Sequence, residues 1–272
     1  MRHHPLTLLR VVLATLSALA VVAGAGCSSK DTPTPSSAAI AHATGARDLL
    51  FRYSIGGGFA PPPPPADAPR VSLYGDGRIV VFGPGGATSA RLSEPGIQRL
   101  LRVVTDAGLL DGANSFPIPG CADCRETVFT ANFNGRATSV SVDELGSTVP
   151  ARSDDAAYRR IEGLAHFMDA LTLSTFRPGE ITDAAGPFDS PGLLVRAAAI
   201  ETFPPSGGIA WPAGLPSIES LYGGGVVCGA PADALATAAP SGAERMQSGS
   251  VVAFVVHRPL LPDDPGAEAC AW

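Results

Sequence analysis

Two dipeptides constrain this 272-residue chain more than any other feature: Asp76-Gly77 and Asn134-Gly135, each set between stretches rich in β-branched and aromatic residues. Both dipeptides favour the positive φ values of a two-residue hairpin loop, so each predicts an antiparallel strand pair whose register the turn fixes. Over Val71 to Phe82, such a turn sets Val71 opposite Phe82, Leu73 opposite Val80 and Tyr74 opposite Ile79. Over Thr127 to Val142, it sets Phe129 opposite Val140 and Ala131 opposite Thr138.

A helix signal follows each hairpin. Ser93 stands as an N-cap with Glu94 and Pro95 in the first turn, Leu92 and Ile97 form a hydrophobic staple, and Gly108 closes the end. Ile97, Leu100, Leu101 and Val104 recur at helical spacing as its buried stripe. A second helix starts at Ser153, with Asp154 and Asp155 at its positive end and Tyr158, Ile161, Leu164, Met168 and Leu171 as its stripe. With a strand over Asp48 to Ile55, the order is strand, hairpin, helix, hairpin, helix. The expected fold is α+β: residues 46–176 form an antiparallel sheet of about five strands with two helices on one face.

Arg177-Pro178-Gly179 breaks this pattern and opens a second small α+β domain over 177–272. Its strands are expected at Gly192 to Ile200 and Val251 to His257, the latter almost entirely apolar and so central. Pro231 to Ala238 reads as a short helix. The prolines 61–65 form a stiff loop that a sheet interior excludes. No helix carrying Lys-Ser/Thr follows Gly56-Gly57-Gly58, which excludes a phosphate-binding loop.

The N-terminus gives an address. Arg2 and Arg10 precede the uncharged run Val11 to Ala23, too short to span a hydrocarbon core of ~30 Å, and Gly24-Ala25-Gly26 leads into Cys27-Ser28-Ser29. This arrangement resembles a bacterial lipoprotein signal. The resemblance implies that residues 1–26 are removed and that the Cys27 thiol carries a lipid, placing the protein on the outer face of the cytoplasmic membrane. Gly24 stands where that family usually has Leu, and Ala23-Gly24-Ala25 also fits an ordinary secretory site that would release a soluble protein starting at Gly26. Residues 27–45, with Thr32-Pro33-Thr34-Pro35, read as a lipidated disordered tether. Beyond residue 26 the chain holds 17 basic against 25 acidic residues, a formal charge of −8, which excludes nucleic acid as a partner.

A second resemblance rests on Tyr74-Gly75-Asp76-Gly77-Arg78, on Leu92-Ser93 opening a helix that ends Ala107-Gly108-Leu109-Leu110, and on Thr127-Val128-Phe129-Thr130 with Asn134-Gly135-Arg136. Residues 48–172 so patterned are similar to an uncharacterised family of actinobacterial secreted or lipid-anchored proteins, as is the ending Arg258-Pro259-Leu260-Leu261-Pro262-Asp263. The shared residues are turns, caps and core. They imply a fold and an address, and transfer no activity.

With Cys27 used for lipid, four cysteines remain, an even number in an oxidising compartment. Two disulfides are expected, Cys121 with Cys124 and Cys228 with Cys270. The alternatives are a redox site at Cys121 and Cys124, or a zinc site drawing on all four cysteines. A hairpin strand follows Cys124 where redox chemistry wants a helix N-terminus, and Cys228 and Cys270 lack the paired spacing of zinc motifs.

Neither a nucleophile elbow nor a His-Glu-x-x-His motif occurs. His166 and His257 stand at core-type positions, and Asp154-Asp155 and Asp263-Asp264 read as capping or solvated pairs. The expected function is that of a non-enzymatic cell-envelope lipoprotein binding an envelope protein or a small ligand, with no cofactor, metal or catalytic residue assigned. An exported hydrolase-like enzyme with a dispersed site built from His257, His166 and Asp263 is the alternative, followed by the thiol-redox or zinc protein.

Overall fold

Strands β1 (Leu49–Gly57), β2 (Pro69–Tyr74), β3 (Arg78–Gly83) and β4 (Gly86–Leu92) pair successively and antiparallel in the computed structural model. The structure describes residues 38–57, 68–83, 85–111, 115–146, 155–200 and 208–272. The export signal, Cys27, the prolines 61–65 and the expected helix start at Ser153 therefore lie outside the described residues.

The first hairpin pairs one residue out of the expected register. Val71 faces Val81, and Leu73 faces Ile79. The loop contains three residues, Gly75-Asp76-Gly77, with the Gly77 N–H donating to the Tyr74 carbonyl at 3.0 Å and Gly77 at φ 85°. This is the three-residue loop in which a left-handed glycine ends a type I turn, and Asp76 reinforces it by accepting the Arg78 N–H at 3.0 Å. A one-residue slip exchanges faces, so Leu73 and Ile79 enter the main core while Val80 joins Tyr74 on the opposite side.

Helix α1 (Glu94–Asp106) buries the expected stripe Ile97, Leu100, Leu101 and Val104, and Gln98 as well. Ser93 occupies the N-cap, but its hydroxyl donates to the Gly179 carbonyl at 2.6 Å and leaves the helix's own N–H groups alone. After the two-residue β5 (Ser115–Phe116) comes the second hairpin, β6 (Arg125–Phe133) and β7 (Arg136–Asp143). Here the expected register holds: Phe129 faces Val140 and Ala131 faces Thr138, with Asn134 and Gly135 both at positive φ. Helix α2 (Ala156–Asp169) is capped by Asp155, whose carboxylate accepts the N–H groups of Ala157 and Tyr158 at 2.7 and 3.2 Å.

β8 (Ile181–Pro187) returns to pair with β4. The first sheet has the order β5-β7-β6-β1-β2-β3-β4-β8, eight strands where the sequence suggested about five. Of the three additions, β4 and β8 have little β-branched or aromatic content and β5 is only two residues long, so all three are made strands by the ladder bonds of their neighbours. Both α1 and α2 pack into one core with Phe51, Tyr53, Leu73, Phe129 and Val140.

The second sheet comprises β9 (Gly192–Ala199), β10 (Ile209–Ala210), β11 (Gly225–Cys228), β12 (Ala243–Ser248) and β13 (Val251–Pro259), with helix α3 (Ala230–Ala238) following β11. Its order, β10-β12-β13-β9-β11, puts the apolar β13 in the centre as expected. Leu235 and Ala239 cover one face against Val195, Val227 and Val255.

The α+β class holds, while the region beyond residue 177 does not stand apart: β8 completes the first sheet, and Ala39–Trp272 cluster as one compact unit. Residues 39–45, expected in the tether, lie on the body. Ile40 packs against the main core, its N–H donates to the Gln98 side-chain oxygen at 2.8 Å, and its carbonyl accepts the Gln98 amide at 2.8 Å.

Candidate functional site

Residues 259–272 read from sequence as a Pro-rich tail with solvated carboxylates. In the structure they are tied to the body by several side-chain hydrogen bonds. Asp264 accepts two charge-assisted bonds from Arg258, both at 2.7 Å, and a third from the Leu261 N–H at 2.7 Å. Asp263 accepts from Arg52 at 2.7 Å and from the Tyr74 hydroxyl at 2.8 Å, while Arg52 also donates to Ser72 and Tyr74. Burial pushes the Tyr74 phenol well above its ordinary range; the Arg52 charge opposes this and the Asp263 carboxylate adds to it. Burial works against the Arg52 charge, but Tyr74 and Asp263 outweigh it and the guanidinium is raised further. Arg52 and Tyr74 are therefore locked as donors to a carboxylate, which is a structural clasp.

The three residues of the dispersed-site alternative have separate surroundings. His257 lies on the α3 side of the second sheet, where Nε2 donates to the Ala239 carbonyl at 2.9 Å. Its Nδ1 is buried without a partner among the described residues, and burial lowers the ring's pKa, so a neutral Nε2–H tautomer fits the site. Asp263 is held by Arg52 and Tyr74 of the first sheet. His166 is exposed on α2.

Cys121 is bonded to Cys124 and Cys228 to Cys270, compatible with the expected disulfides. The first pair sits in the exposed loop before β6, and the second ties the end of β11 to the tail. Among the described residues, no three His, Cys, Asp or Glu side chains are grouped to hold a metal ion.

What the tail adds on its outer side is an open groove of about 370 Å³. Trp272 and Phe188 supply aromatic surface, with ring centroids 6.5 Å apart and planes inclined at 33°. Trp272 is 46% exposed, yet its orientation is fixed: the indole N–H donates to the Ala267 carbonyl at 2.9 Å and the Arg78 guanidinium lies 5.7 Å from the ring centroid. Arg91 lines the groove with its charge already matched, donating to Asp76 at 2.9 Å and to Asp183 at 3.2 Å. Ser89 and Asp189 also line it, and neither side chain hydrogen-bonds a described residue. Sequence reasoning gave none of these groove residues a role in binding, and Arg78 entered it only as the end of a turn motif. The only local signal was a tryptophan two positions beyond a disulfide-forming cysteine.

Compared with protein-family models, curated proteins and solved structures, the chain matches none.

Proposed function

We propose that this protein is a non-enzymatic envelope lipoprotein, anchored through Cys27 at the outer face of the cytoplasmic membrane, whose folded body binds a partner or small ligand at the Trp272 groove. The observation that carries the binding role is the exposed indole of Trp272, fixed by a hydrogen bond and a cation–π contact. A large aromatic side chain left in water yet held rigid is a feature of binding surfaces, because its contact area is offered at little cost in conformational freedom. The address is supported by the charged start, apolar run and small residues leading into Cys27.

The reading is tested by placing a photoreactive residue at position 184, inside the groove, and in a second variant at position 136, in the exposed β6–β7 hairpin. Irradiation of intact cells should give a discrete adduct from position 184 and none from position 136. Adducts of equal yield from both, or from neither, count against the groove as the binding surface.

A further inference from the structure

The groove's charges and surfaces narrow the class of ligand, an inference that rests on the binding reading above. An apolar ligand would need a largely apolar, enclosing pocket, whereas this groove is open and interleaves its aromatic rings with Arg, Asp and Ser. An anion finds no free cation here. Arg91 is bonded to Asp76 and Asp183, Arg78 is engaged with Trp272 and lies 3.6 Å from Asp76, and the carboxylates of Asp183 and Asp189 repel negative charge. A cation would meet the guanidinium charges of Arg78 and Arg91, both of which line the groove.

What remains is a ligand without net charge that offers C–H groups to an aromatic face and hydroxyls to hydrogen-bonding groups at its edge. The two inclined rings provide the first surface. The Asp189 carboxylate, which accepts, and the Ser89 hydroxyl, which both donates and accepts, provide the second. We infer that the groove binds a neutral oligosaccharide, with one pyranose ring stacked on Trp272 and Phe188 and its hydroxyls bonded to Asp189 and Ser89.

The site is built before the ligand arrives. Trp272 stands two residues after Cys270, which is bonded to Cys228, and its indole N–H is tied to Ala267. The disulfide therefore holds the stacking platform in place, and the ligand need not order it.

The test uses the whole chain from residue 28 onward in a Trp211→Phe background, so that Trp272 is the sole tryptophan reporter. Its fluorescence is titrated with maltohexaose, chitotetraose and mannotetraose as neutral probes, with oligogalacturonate as an anionic and oligoglucosamine as a cationic control. At least one neutral probe should saturate the signal. Ligand-observed NMR should then show that binding weakens by about tenfold in both Trp272→Ala and Asp189→Asn, each folded by circular dichroism. No saturable binding of any neutral probe, tighter binding of a charged control, or unchanged affinity in both variants overturns the inference. If the position-184 crosslink captures a partner while all neutral probes fail, the saccharide assignment is wrong and the binding role stands. If the crosslink also fails, both fall.

Discussion

Leu260 and Leu261 are adjacent in the chain, both fully buried, and enter different cores: Leu260 packs with Ala267 and Cys270 against Leu194 and Val226 of the second sheet, and Leu261 packs with Tyr74 and Val80 of the first. A tail inserted in this way is a wedge between two sheets. The salt bridges on either side make it polar at its edges, with Asp263 reaching Arg52 of β1 and Asp264 reaching Arg258 of β13. The charges orient the wedge and the leucines hold it, because burial of each leucine side chain contributes roughly 1.5 to 3 kcal/mol whereas a buried ion pair contributes little net stability.

Asp264→Asn should destabilise the protein more than Asp263→Asn. Asp264 and Arg258 are nearly inaccessible, with side-chain exposures of 4% and 8%, and losing the carboxylate charge strands a buried guanidinium, at a cost of about 3 to 5 kcal/mol. Asp263 and Arg52 retain 19% and 20% exposure, so water compensates part of the loss. Urea denaturation of the two variants ranks them; equal midpoints would refute the distinction.

Reduction of Cys228–Cys270 should lower stability more than reduction of Cys121–Cys124. The first closes a loop 42 residues long and the second one of three, and chain entropy assigns them about 4 and about 2 kcal/mol. Cys270→Ser should also loosen the tail around Trp272 and expose its indole further to a soluble quencher. Thermal melts of Cys124→Ser and Cys270→Ser, read alongside acrylamide quenching, check both points; a larger loss in Cys124→Ser would contradict them.

His257 should make stability fall in acid. Burial lowers its folded-state pKa beneath the ordinary histidine value near 6.5, so the unfolded chain takes up the proton first. The stabilisation is therefore complete above about pH 6.5 and is lost as pH falls from that unfolded value through the lowered folded one, with a slope of at most about 1.4 kcal/mol per pH unit. His257→Gln keeps a donor for the Ala239 carbonyl and should remove this component between pH 7.5 and 5.5. An identical pH profile in wild type and variant would show that His257 does not titrate on unfolding.

The second hairpin was legible down to its residue pairs because Asn134-Gly135 favours one turn, and the alternation of Phe129, Ala131 and Phe133 leaves one buried face. The first was legible only as a hairpin. Gly75-Asp76-Gly77 accepts a two- or a three-residue loop, and both faces of Val71 to Phe82 are apolar, so the burial pattern could not choose between registers one residue apart. β8 was hidden because Ile181-Thr182-Asp183-Ala184-Ala185-Gly186-Pro187 has weak strand propensity and is defined by pairing to β4 from ninety residues earlier in the chain. The strap at Ile40 was missed for a similar reason. Gln98 is a buried polar residue beside an apolar stripe, and only its partner's identity turns that oddity into a clamp imitating strand pairing. The cysteine pairs followed from count and spacing. The groove did not, since Arg78, Ser89, Asp189 and Trp272 come from four separate segments and meet only once the tail is wedged between the sheets.

The lipid anchor is the claim on which the address depends, and mass spectrometry of the N-terminal peptide from protein expressed in a bacterium with lipoprotein processing tests it directly. The expected peptide begins at Cys27 and carries a diacylglycerol on its sulfur, with the protein in the membrane fraction and Cys27→Ala moving to the medium or remaining unprocessed. A peptide beginning at Gly26 with an unmodified thiol, in a protein found in the medium, would contradict it.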